Sequence, residues 1–334
     1  MADLFAQLGA NDLVILALKI GVLLMLLPLT MAVGWVELKT MAHIQHRLGP
    51  MYPGGFHGWA QTLADGMKFI QKEDIMATAV DRPVFTMVPF ITMLGATLTF
   101  VVIPIGPRLV IENLSVGIFF ALAASSVGVI GILMAGWASA NKYSLVGGLR
   151  MAAQLIAYEL PLVLSAAAVA MQAGSLSLVD IVEAQRPLPF AIWAQPVGFL
   201  IFVTAATAEV ARAPFDMPLA EAEIITGAFT EYSGMKFALG LFAAEYIALI
   251  GMAALAATLF LGGYLAPIPV LDFVPGPIWF VLKTGLVIFF LIVVRWTFPR
   301  LREDQLQQFA WKVLVPASLL NILVVGALKL TPWA

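Results

Sequence analysis

The stretch Ala213-Pro-Phe-Asp-Met-Pro-Leu-Ala-Glu-Ala-Glu-Ile224 lies between two long apolar runs, and Glu231 follows it closely. The chain is 61% hydrophobic and only 11% charged, yet it gathers Asp216, Glu221, Glu223 and Glu231 into this one connection. Further acids, Glu159, Glu209 and Glu245, stand inside the neighbouring apolar runs. A charged side chain at the centre of a membrane helix costs roughly 2.5–3.5 kcal/mol on insertion scales, so such groups mark ion paths, proton relays or ligand sites. Working outward from this acidic connection, the flanking sequence reads as membrane helix on both sides.

The chain has 334 residues, a mean hydropathy of +0.97 and a net charge of −2. These values define a polytopic membrane protein and give no sign of nucleic-acid binding. There is no cysteine, which excludes disulfides, thiolate metal sites and cysteine-ligated iron–sulfur clusters in this chain. The three histidines, His43, His46 and His57, share one hydrophilic connection and none sits where a membrane haem needs it. Asp3 and Asp12 replace the basic start of a signal peptide, and the first apolar run is too long for one.

Eight apolar runs are long enough to cross about 30 Å of hydrocarbon as helices. They cover 12–36, 83–105, 115–138, 151–173, 190–209, 235–262, 277–297 and 312–330. The expected fold is therefore an all-α polytopic membrane protein forming one membrane domain over 1–334. The odd-numbered connections hold twelve basic residues: Lys39, Arg47, Lys68, Lys72, Arg82, Lys142, Arg150, Arg212, Lys236, Arg300, Arg302 and Lys312. The termini and even connections hold three, Arg108, Arg186 and Lys329. Positive charge stays cytoplasmic, so the odd connections are expected there and both termini on the other side.

The longest of these connections, 37–82, carries Phe56, Trp59, Ala60, Leu63, Met67 and Ile70 at helical spacing. This predicts an amphipathic helix over 56–71 lying in the interface. Such a helix either only anchors at the interface or forms a lip over a cavity that opens to lipid; in the second case Phe56 and Trp59 are expected to contact an apolar ligand, with Asp65 and Lys68 facing the water side. The acidic connection spans 210–234, with Pro214 and Pro218 bracketing Asp216, which is expected to cap a short helix bearing Glu221 and Glu223. Clustered carboxylates in a low dielectric raise one another's pKa and hold protons near neutral pH. Glu159 precedes Pro161, which frees a backbone carbonyl nearby. Lys283 is expected to partner a membrane acid, and Arg295 to snorkel to the interface.

One family carries this ordered set of motifs along nearly the whole chain. The stretches are Arg47-Leu-Gly-Pro50, Leu63-Ala-Asp-Gly-Met-Lys68, Lys72-Glu-Asp74, Gly136-Trp-Ala-Ser139, Lys142-Tyr-Ser-Leu145 and Gly148-Leu-Arg150, followed by Tyr158-Glu-Leu160, Pro214-Phe-Asp216, Thr230-Glu-Tyr-Ser233, Leu261-Gly-Gly263 and Asp304-Gln-Leu306. The chain resembles the H-subunit family of proton-pumping NADH–quinone oxidoreductase, respiratory complex I. The resemblance implies a subunit joining the membrane arm to the peripheral arm in a bacterial inner membrane. Quinone is then the substrate, in a chamber shared with peripheral-arm quinone-site subunits. NADH, FMN and the iron–sulfur clusters belong to partner subunits, and this chain binds no cofactor of its own. By position, Glu159, Glu209, Asp216, Glu221, Glu223, Glu231 and Glu245 fall on the family's acidic path. Glu37, Asp65 and Lys68 fall at the chamber entrance, and Arg295 near the chamber. Ubiquinone and menaquinone both stay open.

The chain departs from the family pattern at three places. Leu38 replaces an entrance arginine, Leu219 replaces an acid after the Pro-Phe-Asp motif, and Met51-Tyr-Pro-Gly-Gly-Phe56 replaces the usual loop. Two other readings fit an acid-rich polytopic chain: the homologous membrane subunit of a membrane-bound hydrogenase, and a stand-alone cation transporter. The preserved amphipathic stretch and Thr230-Glu-Tyr-Ser233 favour the quinone enzyme, and the absence of repeat symmetry disfavours the transporter.

Overall fold

The computed structural model describes residues 17, 19–107, 109–186, 194–219 and 221–330. Among them, seven helices are long and apolar enough to cross a membrane. In chain order the helices are α1 (Lys19–Ile44), α2 (Gln61–Gln71), α3 (Arg82–Val101), α4 (Gly117–Ala138), α5 (Lys142–Ala173) and α6 (Leu178–Ala184). They continue as α7 (Pro196–Glu209), α8 (Glu221–Ile224), α9 (Gly234–Phe260), α10 (Gly276–Thr297) and α11 (Glu303–Leu330). The protein is a multi-pass helical membrane protein. The fifth apolar run, expected over 190–209, forms the 14-residue α7, and the start of that run lies outside the described residues.

Several boundaries differ from the sequence expectation, each for a local reason. Helix α5 starts at Lys142, well before residue 151, because Asn141 accepts a hydrogen bond from the Tyr143 amide at 2.9 Å and caps it. The connection expected over 139–150 is thus mostly helix. At its other end Gly174 takes φ +77° and closes α5 in the left-handed conformation. At 1.5 Å per residue the 32 residues of α5 span about 48 Å, well beyond the hydrocarbon, so its polar N-terminal turns project past it. The predicted interfacial helix starts at Gln61 and not at residue 56. His57 at φ +54° and Gly58 at φ +62° break it, leaving Phe56 in a separate tight turn. Helix α8 begins five residues after Asp216, so Asp216 is not its cap.

Helix α9 is the hub. From Ile247 to Phe260 it is buried on nearly every side, while α10 and α11 keep outward faces of Leu, Val and Phe. Such outward faces suit lipid, which solvates them as well as protein does. Helices α3 and α4 meet at bare backbone: a Cβ on Gly95 would lie 2.6 Å from the Gly128 amide nitrogen. Small residues at that crossing let the two backbones pack directly. The acidic connection is folded back on itself just as tightly. Gly227 has φ +55°, and a Cβ there would stand 1.7 Å from the Pro218 carbonyl oxygen. Only glycine permits that approach, which seats Pro218 and Leu219 over the interior of the helical array.

Candidate functional site: a buried charge cage beside a cavity

Four charged side chains from four segments meet beside the hub helix. Glu37 comes from α1, Glu245 from α9, Arg295 from α10, and Arg212 from the turn after α7. Arg212 Nη1 lies 2.8 Å from Glu37 Oε2, and its Nε lies 2.8 Å from Glu245 Oε1. Arg295 Nη1 lies 2.9 Å from Glu37 Oε1 and 3.2 Å from Glu245 Oε1. Each guanidinium therefore bridges both carboxylates, and the two positive charges balance the two negative ones. The Arg212 side chain is 1% exposed and that of Glu37 is 4%. Desolvation of Arg212 works against its charge, but Glu245 and Glu37 more than offset it, so its pKa stands above the ordinary arginine value. The Tyr246 ring lies 4.7 Å from the Arg212 guanidinium carbon, and Tyr246 also hydrogen-bonds Glu37. A cation against an aromatic face gains further when desolvated.

The turn that presents Arg212 is built by the end of α7. The Arg212 amide donates to the Thr207 carbonyl at 3.3 Å, and the Ala211 amide donates to the Ala208 carbonyl at 3.0 Å. With Ala211 at φ +53°, this is a Schellman ending with alanine in the place glycine usually takes. It turns the chain sharply, so Glu209 and Arg212, three residues apart, serve different surroundings.

Glu209 lines a cavity together with Glu245. The cavity, of about 100 Å³, runs among α3, α4, α5 and α9 beside Pro218 and Leu219. Its walls are mostly apolar, with Thr92, Thr99 and Ser125 as polar points. Glu209 shares a hydrogen bond with Ser125 and feels the charge of Glu159. Glu159 in turn accepts from the Ser126 hydroxyl. Glu245 belongs to both the cage and the cavity wall, so the two constellations share one carboxylate.

The remaining sequence-derived residues sit apart from this centre. Glu223 is at the surface, 2.6 Å from Arg150 and 3.3 Å from Arg300, and Arg150 also reaches Glu303 at 3.4 Å. The Arg150 hydrogen bond foremost, then the Arg300 charge, hold the Glu223 carboxyl below its ordinary pKa. Glu231 accepts from Asn141 Nδ2 at 2.6 Å, tying the acidic connection to the start of α5. Asp216 is partly buried beside Phe215, and the Glu221 side chain lies outside the described ones. On the interfacial helix, Asp65 pairs with Lys68 at 3.1 Å and accepts from Gln61. Trp59 is 60% and Phe56 82% exposed, and Trp59 donates to the Gly54 carbonyl. Gly34 of α1 lies between Thr62 of α2 and Tyr246 of α9, linking the interfacial helix to the cage through one bare backbone position.

One expectation is corrected. Arg295 does not snorkel outward; Glu37 and Glu245 hold it in the cage. Lys283 donates to the Leu265 carbonyl at 2.6 Å, in the turn that follows α9. Sequence reading missed Arg212, Tyr246, Ser126 and Asn141 as members of these networks. Arg212 alone carried a usable signal: it sits within Val210-Ala-Arg-Ala-Pro214, an arginine with apolar neighbours on both sides.

The helical membrane array thus holds two arginines and two carboxylates in mutual contact beside a cavity lined by Glu209 and Glu245. The family model for NADH dehydrogenase matches residues 18–326, and the chain belongs to that family. It is 44% identical over 319 residues to the NADH-quinone oxidoreductase H subunit of Anoxybacillus flavithermus, covering 96% of this chain and 95% of that one. It is 47% identical over 293 residues to the corresponding protein of Geobacillus kaustophilus and 46% to that of Bacillus cytotoxicus, with 88% of this chain and 87% of each relative covered.

Proposed function

We propose that the chain is a membrane subunit of a proton-translocating NADH–quinone oxidoreductase, works only within that complex, and couples quinone chemistry to proton movement through the cage and the cavity. The observation that carries this reading is the double membership of Glu245, which pairs with Arg212 and Arg295 on one side and lines the cavity on the other. Two-electron reduction of a quinone takes up two protons and places negative charge on the headgroup before it is protonated. A neutral cage of two arginines and two carboxylates responds to an added anion by shifting its pairing, because its arginines are drawn toward the new charge. A freed or re-paired Glu245 then changes the electrostatic setting of Glu209 and Glu159 across the cavity, which is how a charge event becomes a proton event. Asp216, Glu221, Glu223 and Glu231 extend this path toward the docking face in the same reading.

Quinone enters from lipid beside α1 and α2, where Phe56, Trp59, Asp65 and Lys68 border the way to Glu37 and Arg295. Electrons arrive from peripheral-arm partners that hold NADH, FMN and iron–sulfur clusters, docked on the charged connections that include Arg150, Arg300 and Glu303. These connections lie on the cytoplasmic side of a bacterial inner membrane, with both termini opposite. Reporter fusions near residues 145 and 225 should report cytoplasm and a fusion near 270 the other side; the reverse pattern would place the docking face wrongly. The central test is Glu245→Gln in the assembled complex. The expected result is a loss of about tenfold or more in both quinone reduction and proton translocation, since Gln keeps the shape and removes the charge. Wild-type turnover and pumping in that variant, with Glu209→Gln equally silent, would overturn the proposal.

A further inference from the structure

Gln154 is 1% exposed on α5 and belongs to none of the charge networks above. Its Nε2 donates to the Ala208 carbonyl at 2.7 Å, across 54 residues of sequence. Ala208 is the residue whose carbonyl also accepts the Ala211 amide in the Schellman ending of α7. Both lone pairs of that oxygen are therefore in use, one inside the turn and one toward α5. Met151 and Leu155, on the same face of α5, pack against Ala211 and line the cavity. One helix face thus grips the turn twice, by an amide hydrogen bond and by apolar contact. The turn is short of intrinsic support, because Ala211 takes a left-handed φ that alanine disfavours. It also carries Glu209 into the cavity and Arg212 into the cage.

We propose that Gln154 is a positioning residue that fixes the Glu209–Arg212 turn, and so sets the places of the cavity acid and the cage arginine together. This rests on the functional reading above and adds the residue that keeps its two halves in register. Replacing the amide by an apolar side chain leaves a buried carbonyl lone pair without its donor and releases the turn. Replacing it by a carboxyl preserves shape but supplies a donor only when protonated. The charged groups on the elements packed around this part of α5 are Glu209 and Arg212 at the end of α7, Glu245 on α9, Glu223 and Glu231 of the acidic connection, Glu303 and Lys312 on α11, and Arg150 and Glu159 on α5 itself. Helix α4, packed alongside, has no charged residue. A carboxyl at 154 is buried, and desolvation favours its neutral form, so protonation near neutral pH is the expected response.

The test uses the complete complex in membranes with Gln154→Leu and Gln154→Glu. Gln154→Leu should lower quinone reduction about fivefold or more at every pH, and speed amide exchange at Ala211 and Arg212. Gln154→Glu should be impaired near about pH 8 and recover toward wild type near about pH 6, where its carboxyl regains the proton. A Gln154→Glu profile that runs parallel to wild type, unchanged exchange at Ala211 and Arg212, or failure of both variants to assemble would each overturn the assignment. The exchange measurement reads the turn whatever the complex catalyses. If quinone coupling were the wrong reading, exchange would still respond to Gln154 while Glu245→Gln remained silent.

Discussion

The cage and the surface network use the same chemistry, two arginines and their carboxylates, in opposite surroundings. In the cage the Arg212 and Glu37 side chains are 1% and 4% exposed, whereas in the network Glu223 and Glu303 are each 47% exposed. Exposed pairs are screened by water and salt and contribute about 0–1 kcal/mol. Buried pairs gain strength from the low dielectric but suffer desolvation of both partners, so the intact cage is no great source of stability. Its consequence lies in the asymmetry: removing one member costs about 3–5 kcal/mol, because the others are left charged and unpaired. The difference teaches that the cage fixes an arrangement and the network fastens a surface.

The sharpest way to break this contrast is Arg212→Leu. It leaves Glu37 and Glu245 facing each other with Arg295 alone, and the expected cost is about 3–5 kcal/mol, read as loss of assembled complex or a large drop in its melting temperature. A stable, fully assembled Arg212→Leu complex would mean that water reaches the cage and that burial misstates its surroundings. A smaller effect, of opposite sign, is expected for Ala211→Gly. Glycine takes the left-handed conformation without the penalty alanine bears, so stability should rise by about 0.5–1 kcal/mol. A fall on thermal unfolding would show that the contacts of the Ala211 methyl with Met151 and Leu155 outweigh the backbone strain.

The smallest effect belongs to Glu223→Gln, at about 0.2–1 kcal/mol and shrinking with added salt. The pH dependence follows from the lowered Glu223 pKa. Its contribution is present above the ordinary carboxylate value of 4.5 and is lost as pH falls through the lower folded value. Above that window wild type and Glu223→Gln should differ by a constant amount, and at lower pH the two curves should converge. A difference as large as that of Arg212→Leu would place Glu223 in a buried network and erase the contrast.

Much of the architecture was readable in the sequence, because apolar runs of membrane length leave helices as the only way to satisfy the backbone in lipid. The ends of the helices were not readable to the same degree. The Asn141 cap starts α5 among residues that look like a loop, and the left-handed His57 stops the interfacial helix from starting where its apolar spacing does. At the site, the acids stood out by their rarity in apolar surroundings, as Glu209 and Glu245 illustrate. The pairing did not, since Glu37 and Arg212 are 175 residues apart and only packing brings them together. The Leu219 departure is accounted for by position: it lines the cavity, where an added acid would change the lining from apolar to charged.

Helix α9 contains a wide, π-helical turn at Ala238–Ala243, between Lys236, which pairs with Asp74 at 2.7 Å, and Glu245 in the cage. Nine positions at about 100° each would set those two side chains about 180° apart around an unbroken helix. The wide turn absorbs one residue, so the separation falls to about 80°. A helical wheel drawn from the sequence therefore assigns Glu245 to the wrong side of its own helix. The single extra residue acts as a phase shifter, turning the deep half of α9 toward the arginines while its outer end keeps its grip on the first connection.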